Sequence, residues 1–132
     1  MDENQKVKND GEAVMNRAKG LEYCADSPEI YCEMLTIFCS MRETSGEELD
    51  RCLKERDWKN YTIKVHALKT NAKSIGAFVM GELCYELELA GKKIQAGDEV
   101  AEQEALIREK HPKMLLLFDR TVAEANDYMK NV

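Results

Sequence analysis

The sequence predicts an all-α protein, specifically an antiparallel four-helix bundle with an additional short N-terminal helix. Three observations favour this class. The 132 residues include only two prolines. Apolar residues recur every three or four positions along most of the chain, as they do on one face of a helix. No segment alternates apolar and polar residues as a half-buried strand would.

The chain divides into a polar segment, residues 1–10, and a helical domain, residues 11–132. The first segment holds one apolar side chain, Val7, and is interpreted as a flexible tail or the remnant of a linker. The remaining length suffices for one hydrophobic core. A short first helix is predicted over about residues 11–23, where apolar residues recur at helical spacing.

The second helix has a clear start signal. Ser27 followed by Pro28 combines an N-cap with a proline at the first helical position. The apolar pattern continues from there to about Met41. Ser45 and Gly46 then interrupt it and can cap a further short segment.

The next two helices are predicted from caps and from apolar periodicity. Asp57 is a suitable N-cap for a helix that continues to about Gly76. Another helix follows over about residues 79–94, with an inward apolar stripe.

The last part of the chain contains one boundary and one interruption. Gly97 suits a left-handed helix end, and Asp98 is predicted to cap the next helix. That helix is predicted over about residues 99–130. Pro112 should kink or divide it, because a proline inside a helix removes one hydrogen bond and clashes with the preceding turn.

The composition and charge exclude several classes of protein. Hydrophobic residues make up 44% of the sequence and charged residues 33%, a balance typical of a soluble globular domain. The net charge of −6 argues against a nucleic-acid surface, which would need a basic face. No apolar run approaches the roughly 20 residues that cross a bilayer, and the first residues lack the features of a signal peptide. We therefore expect a cytoplasmic protein that binds neither nucleic acid nor membrane.

The five cysteines are odd in number and include no CxxC pair or other metal-ligand spacing. We expect reduced thiols that pack like small hydrophobic side chains. No metal site is predicted from them.

The helix predicted over residues 57–76 contains the candidate site, because it places a histidine away from its apolar face. Six apolar residues fall within about 100° of one another on a helical wheel: Trp58, Tyr61, Val65, Leu68, Ala72 and Ile75. His66 lies at about 140° from Tyr61, on the polar side. It is therefore predicted to face solvent.

An exposed imidazole beside lysines can carry a phosphoryl group, because it is nucleophilic near neutral pH. Lys69 is one helical turn from His66, and Lys73 is two turns away. Their ammonium groups would offset the charge of a phosphorylated ring. Lys92 or Lys93 could add positive charge, although both also suit an ordinary helix end.

Small residues near His66 would let a protein partner approach the ring. Thr62, Thr70 and Ala77 lie on the same side of the wheel and are predicted to provide this clearance. Ile63 is a candidate apolar contact for the partner.

From the wheel alone, a histidine among lysines is more often an ordinary surface residue. The second histidine, His111, precedes Pro112 in a charged stretch without a matching basic and small-residue face. We expect no chemical role for His111.

The sequence around His66 is similar to a known family signature. The motif consists of His66-Ala67-Leu68-Lys69, followed by Ala72, Ile75, Gly76 and Ala77. This run resembles the signature of histidine-containing phosphotransfer (HPt) domains. The similarity extends to Asp57-Trp58, to the helix from Pro28 to Phe38, and to the segment from Leu83 to Leu89 that contains Glu88.

The resemblance implies that His66 is the phosphoacceptor of a four-helix bundle, and that Lys69 supports the phosphoryl group. Gly76 matches a glycine near the end of the histidine helix. Thr70 departs from the family, which most often has glycine there, so partner preference is the property in doubt.

The resemblance also implies the partners. His66 would exchange the phosphoryl group with aspartates of response-regulator receiver domains, or act with a hybrid histidine kinase. The sequence contains no nucleotide-binding loop and no clustered acidic metal site, so we expect a monomeric phosphocarrier without a cofactor. The Mg²⁺ ion would belong to the receiver domain.

Two alternatives remain open. A dimerisation and phosphoacceptor domain of a sensor histidine kinase usually has an acidic residue after the histidine and a proline one turn later, whereas this chain has Ala67 and Thr70. A non-phosphorylated helical adaptor would keep the fold and bind a partner through the same face. The presence of both His66 and Lys69 argues against the adaptor.

Overall fold

The structure is a computed structural model that describes residues 13–132. Six helices account for most of these residues: α1 (Arg17–Tyr23), α2 (Pro28–Ser40), α3 (Arg42–Glu55), α4 (Trp58–Ser74), α5 (Phe78–Gln95) and α6 (Val100–Lys130). No strand occurs within this part of the chain, so the predicted all-α class is confirmed. The predicted tail, residues 1–10, lies outside the described residues.

Two predicted helix starts are confirmed by their capping bonds. The Ser27 hydroxyl accepts a hydrogen bond from the Ile30 backbone N–H at 3.2 Å, and Pro28 is the first residue of α2. The Asp57 carboxylate accepts one from the Asn60 N–H at 3.2 Å at the start of α4. Each bond satisfies a backbone donor that has no partner within its own helix.

The first helix is shorter than predicted and begins at Arg17. The preceding residues bond to other parts of the protein instead of to each other. The backbone N–H groups of Val14 and Met15 donate to the Glu124 carboxylate at 2.6 and 3.2 Å. The Asn16 N–H donates to the carbonyl oxygen of Gly76 at 2.8 Å.

The break between α2 and α3 occurs at Met41, so its predicted position at Ser45 and Gly46 is wrong. The Ser45 N–H donates to the Met41 carbonyl at 2.8 Å, and the helix continues through both residues. Gly46 is buried, and the Arg42 side chain occupies the space that a Cβ of Gly46 would need. Arg42 can thus reach Asp119 on α6, with Nε and Oδ1 2.6 Å apart.

The turn between α5 and α6 confirms the role of Gly97 but not that of Asp98. Gly97 has a φ of +74°, as expected for a left-handed helix end. Asp98 belongs to the same closing turn, because its N–H donates to the Lys93 carbonyl at 2.8 Å. The residue before α6 is Glu99, and its side chain makes no capping bond.

Pro112 does not divide the last helix, since α6 is assigned without interruption from Val100 to Lys130. Of the two predicted outcomes, kink or division, division is excluded. The missing N–H costs one backbone hydrogen bond. The adjacent His111 and nearby Met114 are buried in the core, and this packing holds both halves of the helix in place.

Contacts between side chains show that α4 and α5 run antiparallel. Gln95 at the end of α5 bonds to Thr62 near the start of α4 at 3.0 Å. At the other end of the pair, Lys73 bonds to Glu82 at 2.8 Å. Gly76 lies in the tight connection with a φ of +87°, and its missing side chain leaves room for the Asn16 carbonyl.

The long helix α6 packs mainly against α5, α2 and α3. It contacts α5 through Lys110 and Glu86, whose Nζ and Oε1 atoms are 2.6 Å apart. The α2 and α3 helices follow one another along α6. The ring of Phe38 on α2 contacts that of Phe118, and Arg56 at the end of α3 bonds to Glu104. The largest fully buried side chains include Tyr31, Tyr61, Phe38, Phe118, Leu35, Leu87, Ile107 and Met114.

The core contains one buried histidine. His111 is 3% exposed, and its Nδ1 lies 3.0 Å from the Tyr61 hydroxyl. Its Nε2 lies 2.8 Å from the Asp50 carboxylate. Both ring nitrogens are therefore engaged, which gives His111 a structural explanation.

All five cysteines are free, and Cys24, Cys52 and Cys84 are buried. Among the described residues, no helix combines the length and apolarity needed to cross a membrane.

Replacing Gly76 with alanine should destabilise the protein, because φ of +87° strains an alanine and its Cβ would collide with the Asn16 carbonyl. Gly97→Ala is the matched control, since Gly97 has φ of +74° and open space around it. We expect Gly97→Ala to lower the free energy of unfolding by about 1 kcal/mol, and Gly76→Ala by about 2 kcal/mol more. Chemical denaturation measures both, and equal losses would contradict the collision.

Candidate functional site

A single buried carboxylate, that of Glu88 on α5, binds three cationic or ionisable side chains. Its Oε2 atom lies 2.7 Å from Nδ1 of His66 and 3.1 Å from Nζ of Lys92. Its Oε1 atom lies 2.8 Å from Nζ of Lys69. The two helices α4 and α5 therefore bring His66 and Lys69 onto one acidic group.

The position of Glu88 explains why it needs these partners. It lies on the buried face of α5 with Cys84, Leu87 and Gly91, and its side chain is only 2% exposed. A carboxylate without partners in such a place would be costly. Burial raises its pKa, but the hydrogen bonds from Lys69, His66 and Lys92 outweigh burial and lower the pKa of Glu88 from 4.5 to about 2.

The ionised carboxylate determines which nitrogen of His66 carries hydrogen. A carboxylate can only accept, so Nδ1 must donate to Glu88. In the neutral ring Nε2 then keeps its lone pair. No partner for Nε2 occurs among residues 13–132, and 58% of the His66 side chain is exposed. The prediction that His66 faces solvent is confirmed.

Lys69 is held on the same carboxylate and is much less exposed than His66. Its side chain is 18% exposed, and its Nζ lies 5.1 Å from the ring centroid of Tyr85. The distance is within the range of a cation–π contact. The sequence prediction that Lys69 lies beside His66 agrees with this geometry.

Lys73 is not part of the Glu88 cluster. Its Nζ binds Oε2 of Glu82 at 2.8 Å and lies 5.9 Å from the Tyr85 ring centroid. The predicted contact of Lys73 with a phosphoryl group on His66 has no support in this arrangement, because its ammonium group is bonded to Glu82, about two helical turns before Glu88 on α5.

Two of the predicted clearance residues are buried, so that part of the prediction is wrong. Thr62 is 7% exposed and packs against Gly91, where its hydroxyl fills the space of a Cβ. Ala77 is 0% exposed. The wheel allowed for one buried stripe, whereas α4 also packs against α5 on the side of Thr62. Ala77 follows the helix end, where the wheel no longer applies.

The other two predicted surface residues are exposed near His66. Ile63 is 57% exposed and lies one turn before it. Thr70 is exposed one turn after it, and the Thr70 hydroxyl donates to the His66 carbonyl oxygen at 3.3 Å. Gly76 has a structural role in the turn that follows α4.

The structure separates the two lysines at the end of α5. Lys92 joins the Glu88 cluster, while Lys93 lies 3.5 Å from Glu99. Lys92 is four residues after Glu88, which is the spacing of adjacent residues on a helix surface. Of these two lysines, Lys92 is therefore the one that adds positive charge near His66.

From the sequence, Glu88 is noted only as part of the Leu83–Leu89 segment that resembles the HPt family. Tyr85 lies in the same segment, but no role is predicted for it. One signal could have identified Glu88, because an acidic residue stands in the apolar stripe of α5. Such a residue needs a cationic partner from another helix. No comparable signal marks Tyr85.

Together these groups can hold an anion beside a nucleophilic nitrogen. Within the described part of the chain Nε2 of the ring has no partner, and the ammonium groups of Lys69 and Lys92 share the neighbouring carboxylate. Within residues 13–132, no three His, Cys, Asp or Glu side chains are arranged to hold a metal ion.

Comparisons with known proteins found no match. No family model, no curated protein and no solved structure matches the chain. The contacts around Glu88 are therefore the basis for a functional proposal.

Glu88→Gln should change how stability depends on pH. Because the pKa of Glu88 is about 2 in the folded protein and 4.5 ordinarily, its ionised form stabilises the fold fully above about pH 4.5. As pH falls from 4.5 towards 2, the unfolded chain binds the proton first and this stabilisation is lost. Urea unfolding at successive pH values should show wild type and variant converging across that window. Glu82→Gln, at an exposed acid on the same helix, serves as the control. A constant difference between wild type and Glu88→Gln would contradict the assignment.

Proposed function

We propose that the chain is a phosphorelay intermediate of the HPt type. His66 accepts a phosphoryl group from an aspartyl phosphate of a response-regulator receiver domain and donates it to another such aspartate. One observation carries this proposal: Nδ1 of His66 is bonded to the ionised Glu88, while Nε2 lies in an exposed ring and has no partner among the described residues. The resemblance of the His66–Ala77 run to the family signature supports the same function.

We also propose the fold that the family would require, an antiparallel four-helix bundle with α1 as the additional short helix. The contacts support it, because α4 packs against α3 and α5, and α6 packs against α5 and the α2–α3 pair. Since α2 and α3 follow one another along α6, together they would form one of the four members.

The proposed transfer needs no proton to leave His66. The Nε2 lone pair attacks phosphorus in line, so that an N–P bond forms while the bond from phosphorus to the aspartate oxygen breaks. The aspartate leaves as a carboxylate with the electron pair of that bond. The ring keeps its Nδ1 hydrogen and becomes positively charged, and the reverse sequence returns the phosphoryl group to a second aspartate.

Glu88 would stabilise the transition state most strongly as the imidazole ring becomes positively charged. Its carboxylate accepts the Nδ1 hydrogen at 2.7 Å, so its charge faces the charge that develops in the transition state. It also fixes the ring orientation, as carboxylates do for histidines in other sites. Phosphoryl transfer depends mainly on positioning and charge, and both are supplied here.

Lys69 and Lys92 would stabilise the transferred group. A lysine ammonium has three donors, and the Glu88 carboxylate does not use all of them. The remaining donors can bond to phosphoryl oxygens as charge-assisted hydrogen bonds. Lys69 is better placed for this role than Lys92, because it is held more firmly between Glu88 and Tyr85.

The proposed partner surface surrounds His66. Ile63 offers an exposed apolar contact, and Thr70 leaves space on the other side of the histidine. We propose that the protein acts as a monomer. We also place it in the cytoplasm as part of this proposal, because five unpaired cysteines are typical of a reducing compartment.

His66→Gln should abolish phosphoryl transfer. Mixed with radiolabelled, phosphorylated receiver domains, the wild-type chain should acquire an acid-labile, alkali-stable label, as expected for phosphohistidine. His111→Gln is the matched control, because it removes the other histidine and should retain the label if circular dichroism shows it folded. Label that persists in His66→Gln would contradict the assignment of His66 as the phosphoacceptor. A non-phosphorylated adaptor would bind receivers without acquiring label.

Lys69→Ala should slow transfer by about tenfold, the loss expected for one charge-assisted hydrogen bond in the transition state. Its helical content, measured by circular dichroism, should not change. Lys73→Ala provides the comparison, and a smaller effect is expected because Lys73 is bonded to Glu82. The rate of label transfer from one receiver domain measures both. Equal effects of the two variants would contradict a specific role for Lys69 in phosphoryl transfer.

A further inference from the structure

The ring of Tyr85 lies between the two lysines of α4 that follow His66. Its centroid is 5.1 Å from Nζ of Lys69 and 5.9 Å from Nζ of Lys73. Both distances fall within the roughly 6 Å over which an ammonium is attracted to an aromatic face. Tyr85 is 42% exposed, so hydrophobic burial alone does not explain its position.

Each lysine has its own carboxylate on α5. Lys69 binds Glu88, and Lys73 binds Glu82. The stem of Lys73 also lies against Gly81, where a Cβ would be 2.7 Å from its Cγ atom. Tyr85 thus separates two ion pairs, of which only the Glu88 pair also includes His66.

The two contacts of Lys69 restrict a flexible side chain. A lysine ammonium on a four-carbon stem loses rotamer freedom when it is held in place. Glu88 holds the ammonium from one side by accepting a single hydrogen bond. The Tyr85 ring attracts it from another side through the charge of the ammonium. Donors therefore remain for an incoming phosphoryl group.

We propose that Tyr85 is a positioning residue for phosphoryl transfer at His66, acting through Lys69. The inference rests on the proposed function, since it deepens the description of the same site. Its essential group is the aromatic ring, and the phenol hydroxyl is not required.

The test compares variants that keep or remove the ring. Tyr85→Phe keeps it, whereas Tyr85→Leu and Tyr85→Gln remove it with one apolar and one polar replacement. Labelling of His66 is followed with two donors, a phosphorylated receiver domain and phosphoramidate, a small phosphodonor that needs no protein docking. Both ringless variants should slow labelling by about two- to fivefold with either donor, as expected for an exposed cation–π contact. Tyr85→Phe should keep most of the wild-type labelling rate.

A double-variant comparison separates positioning from general structure. In a Lys69→Ala background, Tyr85→Leu should cause no further slowing, because its effect passes through Lys69. Further slowing in that background, or a loss seen only with the receiver domain, would overturn the proposal in favour of a structural or docking role. An unchanged rate in both ringless variants would also overturn it.

A direct measurement is independent of phosphoryl transfer from receivers. In NMR spectra the Lys69 Cε protons should be shifted upfield by the ring current in wild type and Tyr85→Phe, and the shift should disappear in Tyr85→Leu. If receivers fail to label wild type while phosphoramidate and the NMR shift behave as described, the relay function is wrong and the role of Tyr85 stands. If the shift is absent in wild type, the role of Tyr85 is wrong.

Discussion

The buried carboxylate of Glu88 is the constraint on which the candidate site depends. A negative charge on the inner face of α5 must be bonded by groups from its surroundings. Two of these groups, His66 and Lys69, come from α4, and the third, Lys92, comes from α5 itself. The same bonds join the two helices, fix the hydrogen on Nδ1 and hold an ammonium beside the ring. The electrostatic requirement of one residue thus gives the site both its position and its nucleophilic nitrogen.

Close packing between α4 and α5 makes this arrangement possible. Gly91 leaves room for Thr62, and Gly81 leaves room for the stem of Lys73. Gly76 allows the tight turn that returns the chain antiparallel to α4. The geometry around His66 is therefore a property of the helix pair, and α4 in isolation would not have it.

The two histidines of the chain show how position changes the role of one residue type. Each has a carboxylate partner, Glu88 for His66 and Asp50 for His111. For His66 the acid is buried and the ring is exposed, and its second nitrogen has no partner in the part of the chain that the structure describes. For His111 the ring is buried, and its second nitrogen is engaged by the Tyr61 hydroxyl. Chemistry at the ring is open to the first histidine, whereas the second joins α3, α4 and α6 in the core.

The sequence by itself determined the helical class, the caps at Ser27 and Asp57, and the exposed position of His66. These features follow from local periodicity and capping, which involve residues only a few positions apart. Only the tertiary structure decided the break at Met41, the burial of Thr62 and Ala77, the separation of Lys73 from the site, and the contacts of Glu88 and Tyr85. A helical wheel describes one helix in isolation, while burial and charge pairing are set by the helix that packs against it. For that reason the exposed position of His66 could be predicted from the sequence, but its bond to Glu88 could not.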